Sequence, residues 1–203
     1  MVMVTAATGA AQALCLLPAG ALTSIRARPL PFTCTMTMPA SAHEPSISLI
    51  CPTSASELEA ARGILTEYAQ SLASPQYLTD FDTELATLPG VYAAPRGQML
   101  LAVVDGQVVA CCGVLPLDAV DYSNACEMRR LYVRPHFRGM GLGRRLAEAQ
   151  MDFARMQGYS CMLLDALSSM EAARALYEDL GFIEIPPYYF NPMAGAHYLK
   201  ADL

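Results

Sequence analysis

The sequence predicts an α/β protein whose single mixed sheet carries helices on both faces. Two apolar runs flank Asp105-Gly106, a dipeptide typical of the tight turn in a β-hairpin. Two further apolar stretches, CEMRRLYV at 126–133 and CMLLDAL at 161–167, are each followed by a helical pattern. A hairpin pairs its strands antiparallel, whereas successive βα units pair theirs in parallel, so together they indicate a mixed sheet.

The elements before the hairpin follow from local signals. ISLI at 47–50 predicts a short strand, and the next helix begins at Ser54, because Glu57 three residues later completes a capping box. Three prolines within residues 74–96 predict a loop, which a short helix at DFDTELATL interrupts.

The elements after the hairpin follow from side-chain periodicity. Strict alternation along the strand at 126–133 predicts two opposite faces, one with Glu127, Arg129, Leu131 and Val133 and the other with Met128, Arg130 and Tyr132. The next helix has an apolar stripe that stops at Gly158 and consists of Leu142, Leu146, Ala149, Phe153 and Met156. SSMEAARALYEDLG predicts a helix with a second capping box, Ser168 to Glu171, and Gly181 as its C-terminal cap. FIEI and HYLKADL predict the closing strands.

The chain of 203 residues, 54% of them apolar, is long enough for one well-buried domain, which we place at residues 46–203. Residues 1–43 contain no acidic side chain. We interpret them as a disordered extension, or as a stretch ahead of a true start in MTM at 36–38. The run ALCLLPAGAL is too short to span a bilayer and lacks a basic segment before it, although a transit peptide stays an alternative.

Charge and cysteine usage narrow the function classes. Nineteen acidic and eleven basic residues lie from Glu44 onward, so this part carries a formal charge of −8, which argues against non-specific nucleic-acid binding. Six of those cations fall within residues 129–145, which contain no acid. Seven cysteines without a C-x-x-C pair or partner histidines predict a reduced, cytoplasmic protein without a disulfide framework or a metal site. With no apolar run long enough to span a bilayer, we expect no membrane association.

The stretch RPHFRGMGLGRRL at 134–146 places three glycines at alternate positions between arginines. It does not fit G-x-G-x-x-G, and no Lys follows the glycines as a Walker loop requires. Glycines before a helix allow the backbone amides to approach an anion such as pyrophosphate closely. The alternative is an ordinary strand-to-helix turn with solvated arginines.

The strand LYVRP, the run Arg138 to Gly143, and A-x-x-L-Y-x-x-x-G-F at Ala173 to Phe182 together resemble the GNAT acyltransferase superfamily. The resemblance covers residues 46–203 in element order and implies a GNAT-type, mostly antiparallel central sheet. The ending IPPYYFNPMAGAHYL is similar to that of small bacterial members.

The resemblance implies that acetyl-CoA is the co-substrate. Its pyrophosphate is expected on the glycine loop, here Arg138, Gly139, Met140, Gly141, Leu142, Gly143 and Arg144. Its pantetheine arm is expected along the backbone of Leu131, Tyr132 and Val133, where one amide would also stabilise the developing oxyanion.

Two side chains match the family's proton-transfer positions. A primary amine with a pKa of about 10.4 is almost wholly protonated near neutral pH, so a base is needed, and Glu127 is the candidate. Tyr177 is the candidate acid for the departing thiolate. The alternatives are a surface pair of Glu127 with Arg129 or Arg130, and a core aromatic at Tyr177. Met170 stands where many relatives carry an Asn.

The acceptor is expected to be an amine of a small molecule or peptide. The family's acceptor region corresponds to YLTDFDTEL and PPYYFNP, in which Asp80, Asp82 and Glu84 would attract a cation and Tyr188, Tyr189 and Asn191 would shape a pocket. Acids at a helix start and hairpin packing are the alternative. A non-catalytic acyl-CoA-binding regulator is the alternative function, and retention of Glu127 and Tyr177 favours the enzyme. The oligomeric state is left open between monomer and homodimer.

Overall fold

A computed structural model of the chain describes residues 44–72, 80–190 and 194–203. The interpretations of residues 1–43 and of Asn191 lie outside these ranges. The described chain contains seven strands and four α-helices, in this order: β1 Ile47–Ile50, α1 Ala55–Ser71, α2 Phe81–Thr87, β2 Gln98–Val104, β3 Gln107–Leu117, β4 Ala125–Val133, α3 Leu142–Met156, β5 Cys161–Leu167, α4 Glu171–Asp179, β6 Ile183–Ile185 and β7 Ala196–Asp202.

The strands form one sheet in the order β1-β2-β3-β4-β5-β7-β6. Every neighbouring pair is antiparallel except β4 and β5, which are parallel. The predicted mixed, mostly antiparallel sheet is therefore confirmed. The hairpin turn is also confirmed, because Asp105 and Gly106 have φ of 49° and 80°, the pair of positive values that a type I′ turn requires.

Both faces of the sheet are covered by helices. Along β2, Leu100 and Ala102 belong to the core under α3 and α4, whereas Met99 and Leu101 belong to the core under α1 and α2. Alternate side chains of β2 therefore pack into two separate cores. Burial of each large apolar side chain contributes roughly 1.5–3 kcal/mol to the stability of the fold. This sandwiching holds β4, the central strand, in place from both sides.

Of the two capping boxes that the sequence predicts, one is confirmed and the other is wrong. Ser54 and Glu57 form the predicted box at the start of α1. The Ser168 box does not form, because α4 begins after Met170, and the Ser168 hydroxyl contacts His197 Nε2 at 2.8 Å instead. The competing contact comes from β7, a partner that the local sequence does not reveal.

Helix α3 ends at Met156 as predicted, before Gly158 with φ of 78°. Its predicted stripe is wrong at one position, since Met156 is 77% exposed. The buried face instead ends at Phe153 and Ala154. In the ranges described above, no helix combines the length and the apolar character needed to cross a bilayer.

Candidate active site

The two parallel central strands separate halfway along their length. β4 and β5 pair only from Ala125 to Glu127 on the β4 side, opposite Cys161 to Leu163. Beyond Glu127 no described strand pairs with the β5-facing edge of β4. Backbone groups of the following residues, among them Leu131, Tyr132 and Val133, therefore border a gap in the sheet.

A β-bulge lies in β4 at the same point. Between the register pairs Gly113–Arg129 and Cys111–Tyr132, β3 contributes one residue and β4 contributes two. Arg130 is the extra residue, and its φ is 58°, a left-handed value that costs a non-glycine residue about 1 kcal/mol or more.

The bulge makes the predicted alternation of β4 wrong. Leu131 and Val133 pack with the α3 core, on the same face as Met128, while Tyr132 packs with the α1 core. Arg130 also faces α1 and α2, since its guanidinium lies over the rings of Tyr68 and Phe81. A strand with one inserted residue exchanges its faces beyond the insertion, which strict periodicity of two does not anticipate.

A cavity of about 570 Å³ opens where β4 and β5 separate. Its walls come from α1, α2, β4, β5, α4 and the segment before β7, and they include Asp80, Thr83, Glu84, Arg129, Arg130, Leu131, Asp165, Met170, Ala173, Tyr177, Tyr189 and Phe190. One continuous space thus joins the predicted cofactor side, at Leu131 and Tyr177, to the predicted acceptor side, at Asp80 and Tyr189.

Arg130 fixes α2 to the wall of this cavity. Its Nε and Nη2 donate to Glu84 at 3.1 and 2.7 Å, and the Tyr92 hydroxyl donates to Glu84 at 2.6 Å. Burial alone would raise the pKa of Glu84, but the charge and hydrogen bonds of Arg130 outweigh it and lower that pKa. Glu84 is therefore already paired with protein groups, and the expectation that it attracts a cationic amine stays a prediction.

Glu127 is fully buried behind the cavity wall. Tyr188 donates a hydrogen bond to its Oε1 at 2.6 Å, and Arg129 Nε contacts its Oε2 as an ion pair without hydrogen-bond geometry. Burial raises the pKa of Glu127, and the Arg129 charge and the Tyr188 hydrogen bond offset this only in part. Such a carboxylate is poised to accept a proton, but Arg129 and Tyr188 stand between it and solvent.

Tyr177 lies on α4 with its ring against Phe182, 5.7 Å between centroids, and it also lines the cavity. Burial raises the pKa of its hydroxyl, so it stays protonated at neutral pH. Within the described residues the hydroxyl has no hydrogen-bond partner. The ring of Tyr177 therefore belongs to the core and its hydroxyl is available to donate, while its role as the acid stays a prediction. Met170, the departure from the family pattern, lies on the same wall.

The glycine loop leads into the N-terminus of α3. Gly139 and Gly141 have φ of 81° and 75°, and a side chain at either would meet open space. Gly141 is the N-cap, and no side chain of the described residues caps the first turn. The first amides of α3 are thereby left for an external acceptor, and the helix dipole favours an anion there. An ordinary tight turn needs the glycine dihedrals but not the uncapped amides.

The side chains of the glycine loop differ in whether they are buried, paired with other residues or exposed. Leu142 is buried in the core, so only its backbone faces the loop. Arg144 donates to Asp179 on α4 at 2.6 Å, which occupies its guanidinium. Arg138 donates from Nε to the Val133 carbonyl at 3.1 Å and so ties the loop to the end of β4. Met140 is exposed beside Gly139.

The predicted acceptor residues separate into two groups. Asp80 and Tyr189 line the cavity. Asp82 is exposed on α2 and does not line it, and the Tyr188 hydroxyl faces Glu127. The rings of Tyr188, Tyr189 and Tyr198 pack edge to face with centroids 5.1–5.4 Å apart, which holds the segment before β7 over the cavity.

The profile of the Acetyltransferase (GNAT) family matches residues 64–182, more than half of the chain. The chain belongs to the GNAT family of acetyltransferases. An uncharacterized N-acetyltransferase of Schizosaccharomyces pombe is 34% identical over 148 residues, which are 72% of this chain and 89% of that protein. The match to N-acetylaspartate synthetase of Danio rerio is 36% identical over 101 residues, 49% of this chain, and spans only 35% of that protein.

Solved structures agree on the fold. The structure of yncA from Salmonella typhimurium with its cofactor acetyl-CoA has a TM-score of 0.61 at 20% identity, covering 77% of this chain and 94% of that one. The predicted family and enzyme class are therefore confirmed, and this GNAT protein is an acyltransferase.

Sequence reasoning missed several residues of the site. Arg129, Asp165 and Phe190 line the cavity, yet the sequence reasoning gives none of them a role of its own at the site. It predicts Arg129 only as a surface partner of Glu127. The available signal is the charged group Glu127, Arg129 and Arg130 within a strand that is apolar elsewhere, since charged side chains in such a strand are costly unless each has a partner.

Proposed function

We propose that this GNAT protein transfers the acetyl group of acetyl-CoA directly to an amine of a small molecule or peptide. The observation that carries the proposal is the gap between β4 and β5, which lies next to an uncapped glycine loop and opens into a cavity that reaches Tyr177. An extended arm fits the gap, and a pyrophosphate fits the helix start.

The residues present suit such a donor. Backbone groups of Leu131, Tyr132 and Val133 border the gap, and the loop from Arg138 to Arg144 offers amides to a diphosphate. A few charge-assisted hydrogen bonds of roughly 1.5–3 kcal/mol each suffice for micromolar binding after the entropic costs. When bound, acetyl-CoA would supply the activated acyl group, and the protein would supply its position.

Two protein groups would move the protons. The amine nitrogen bonds to the acyl carbon, the bond from that carbon to sulfur breaks, and the amine gives up a proton. Glu127 would take this proton through the Tyr188 hydroxyl or a water, because its own carboxylate lies behind the cavity wall. Tyr177, which stays protonated, would donate to the leaving sulfur.

The comparisons support the two ends of the proposal. The yncA structure contains acetyl-CoA, which supports the donor. The N-acetylaspartate synthetases are named for an N-acetylated amino acid, which supports a small-molecule amine as the acceptor.

The test is release of free thiol from acetyl-CoA in the presence of a panel of amines, amino acids, polyamines and short peptides. We expect release above the acceptor-free rate with at least one class, together with an acetylated product of matching mass. Binding of acetyl-CoA without release for any acceptor would contradict the proposal and favour the acyl-CoA-binding regulator.

A further inference from the structure

Two adjacent arginines of β4 face the same cavity but differ in how their charge is used. Arg130 is buried and donates from one edge of its guanidinium, Nε and Nη2, to both carboxylate oxygens of Glu84. Arg129 is only partly covered, with 38% of its side chain exposed, and lines the cavity.

Arg129 has half of its guanidinium unused. Its Nε contacts Glu127 Oε2, and its Nη1 and Nη2 have no hydrogen-bond partner in residues 44–72, 80–190 or 194–203. A guanidinium presents its donors as a planar fork that matches the two oxygens of a carboxylate. The free end of this fork is therefore a ready site for one carboxylate.

We propose that Arg129 binds a carboxylate of the acceptor, which makes the acceptor a free amino acid with its amine close to that carboxylate. The inference rests on the proposed function, because it places the amine where the Tyr188 hydroxyl or a water would pass its proton on to Glu127. Glu127 and the bound carboxylate would contact opposite edges of one guanidinium. An amine that reaches this proton relay while its carboxylate is held by the same guanidinium must lie near that carboxylate, as it does in an α- or β-amino acid.

The other charges of the cavity agree with a zwitterion. Glu84 of α2 is neutralised by Arg130, while the exposed Asp80 before α2 also lines the walls. A polyamine would meet the cation of Arg129, and a protein N-terminus carries no α-carboxylate next to its amine. An acceptor with one charge of each sign matches a wall that carries both.

The experiment compares each amino acid with its own α-amide in the thiol-release assay. Because an amide neighbour makes the amine less basic, intrinsic reactivity favours the amide and cannot produce a preference for the acid. We expect the best amino acid to exceed its amide by about 30-fold or more in kcat/KM, mostly through KM, as one charged fork contact allows.

The preference should depend on Arg129. R129M should reduce the acid-over-amide ratio to near one. R129K keeps a cation beside buried Glu127, so it should fold as the wild type does and show an intermediate ratio, since an ammonium cannot form the fork. R155M is the matched control, because Arg155 is exposed on α3 and, among the described residues, pairs only with Asp152 on its own helix.

Three results would overturn the inference. If the wild type uses acid and amide equally, the carboxylate site is absent although the acetyltransferase activity stands. If R129M and R129K lower kcat but leave the ratio intact, Arg129 only positions Glu127. If no amine is acetylated at all, the proposed function fails, and the acceptor assignment fails with it.

Discussion

The proposed donor end of the site, at residues 131–144, and its proposed acceptor end differ in the groups they offer to a ligand. The proposed acceptor end is formed by α2, Arg129, Arg130 and Tyr189-Phe190. The donor end offers mainly backbone: the open edge of β4 and the uncapped amides before α3. The acceptor end offers side chains from separate segments, brought together by the Arg130–Glu84 pair. A backbone site needs glycines at fixed spacing and so leaves a motif, whereas a side-chain site assembled by folding leaves none.

We expect the largest effect from E127Q, which changes one buried side chain between the two proposed ends of the site. We expect kcat to fall about a hundredfold with acetyl-CoA affinity unchanged, because the amide cannot accept a proton. The pKa of Glu127 is raised and the base acts when deprotonated, so the wild-type rate should rise with pH as Glu127 ionises, and the variant should lack that limb.

The matched control for E127Q is E59Q, since Glu59 is exposed on α1 and, within the part of the chain that the structure describes, pairs only with Arg62. Turnover by E127Q equal to wild type between about pH 6 and pH 9 would show that Glu127 is only a structural partner of Arg129 and Tyr188.

A smaller effect is expected for Y177F. Its kcat should fall about tenfold or more with both KM values unchanged, because the leaving sulfur loses its proton donor. The Tyr177 hydroxyl has no partner in the described part of the chain, so its removal should leave the melting temperature unchanged.

Y159F is the control for Y177F, because it removes a tyrosine hydroxyl that does have a hydrogen-bond partner. The Tyr159 hydroxyl donates to the Arg96 carbonyl at 2.8 Å outside the cavity, so this variant should lose about 1 kcal/mol of stability and no activity. A wild-type rate in Y177F would assign that tyrosine to the core alone.

The smallest effect tests the donor end. G141A should raise the KM for acetyl-CoA about fivefold to tenfold with the acceptor KM unchanged, because a methyl group at the N-cap stands where a phosphate would approach the amides. Titration of acetyl-CoA at saturating acceptor measures it.

G158A separates this effect from backbone strain. Gly158 has φ of 78° against 75° at Gly141, and neither has an atom near an added side chain, so both variants lose about 1 kcal/mol of stability. Only G141A should change the KM. Equal KM values in the two variants would remove the loop from the donor site.

Prediction from the sequence succeeded where neighbours along the chain decide the structure. The Asp105-Gly106 hairpin and the Ser54 capping box depend on contacts within a few residues, and both are confirmed. It failed at the Ser168 box, where the distant His197 contacts the Ser168 hydroxyl, and along β4, where pairing with β3 leaves Arg130 as a bulge. The cytoplasmic location and the roles assigned to individual site residues stay predictions.

The sequence by itself determined the family, the sheet class and the position of the glycine loop, because these depend on local spacing and on backbone freedom. Only the tertiary structure decided which charges are available. It assigns Glu84 to Arg130, Arg144 to Asp179 and Tyr188 to Glu127, and leaves the outer edge of Arg129 open to the cavity. The reason is physical: a charge or hydroxyl is free for a ligand only if no distant partner reaches it, and those partners meet only when the chain folds.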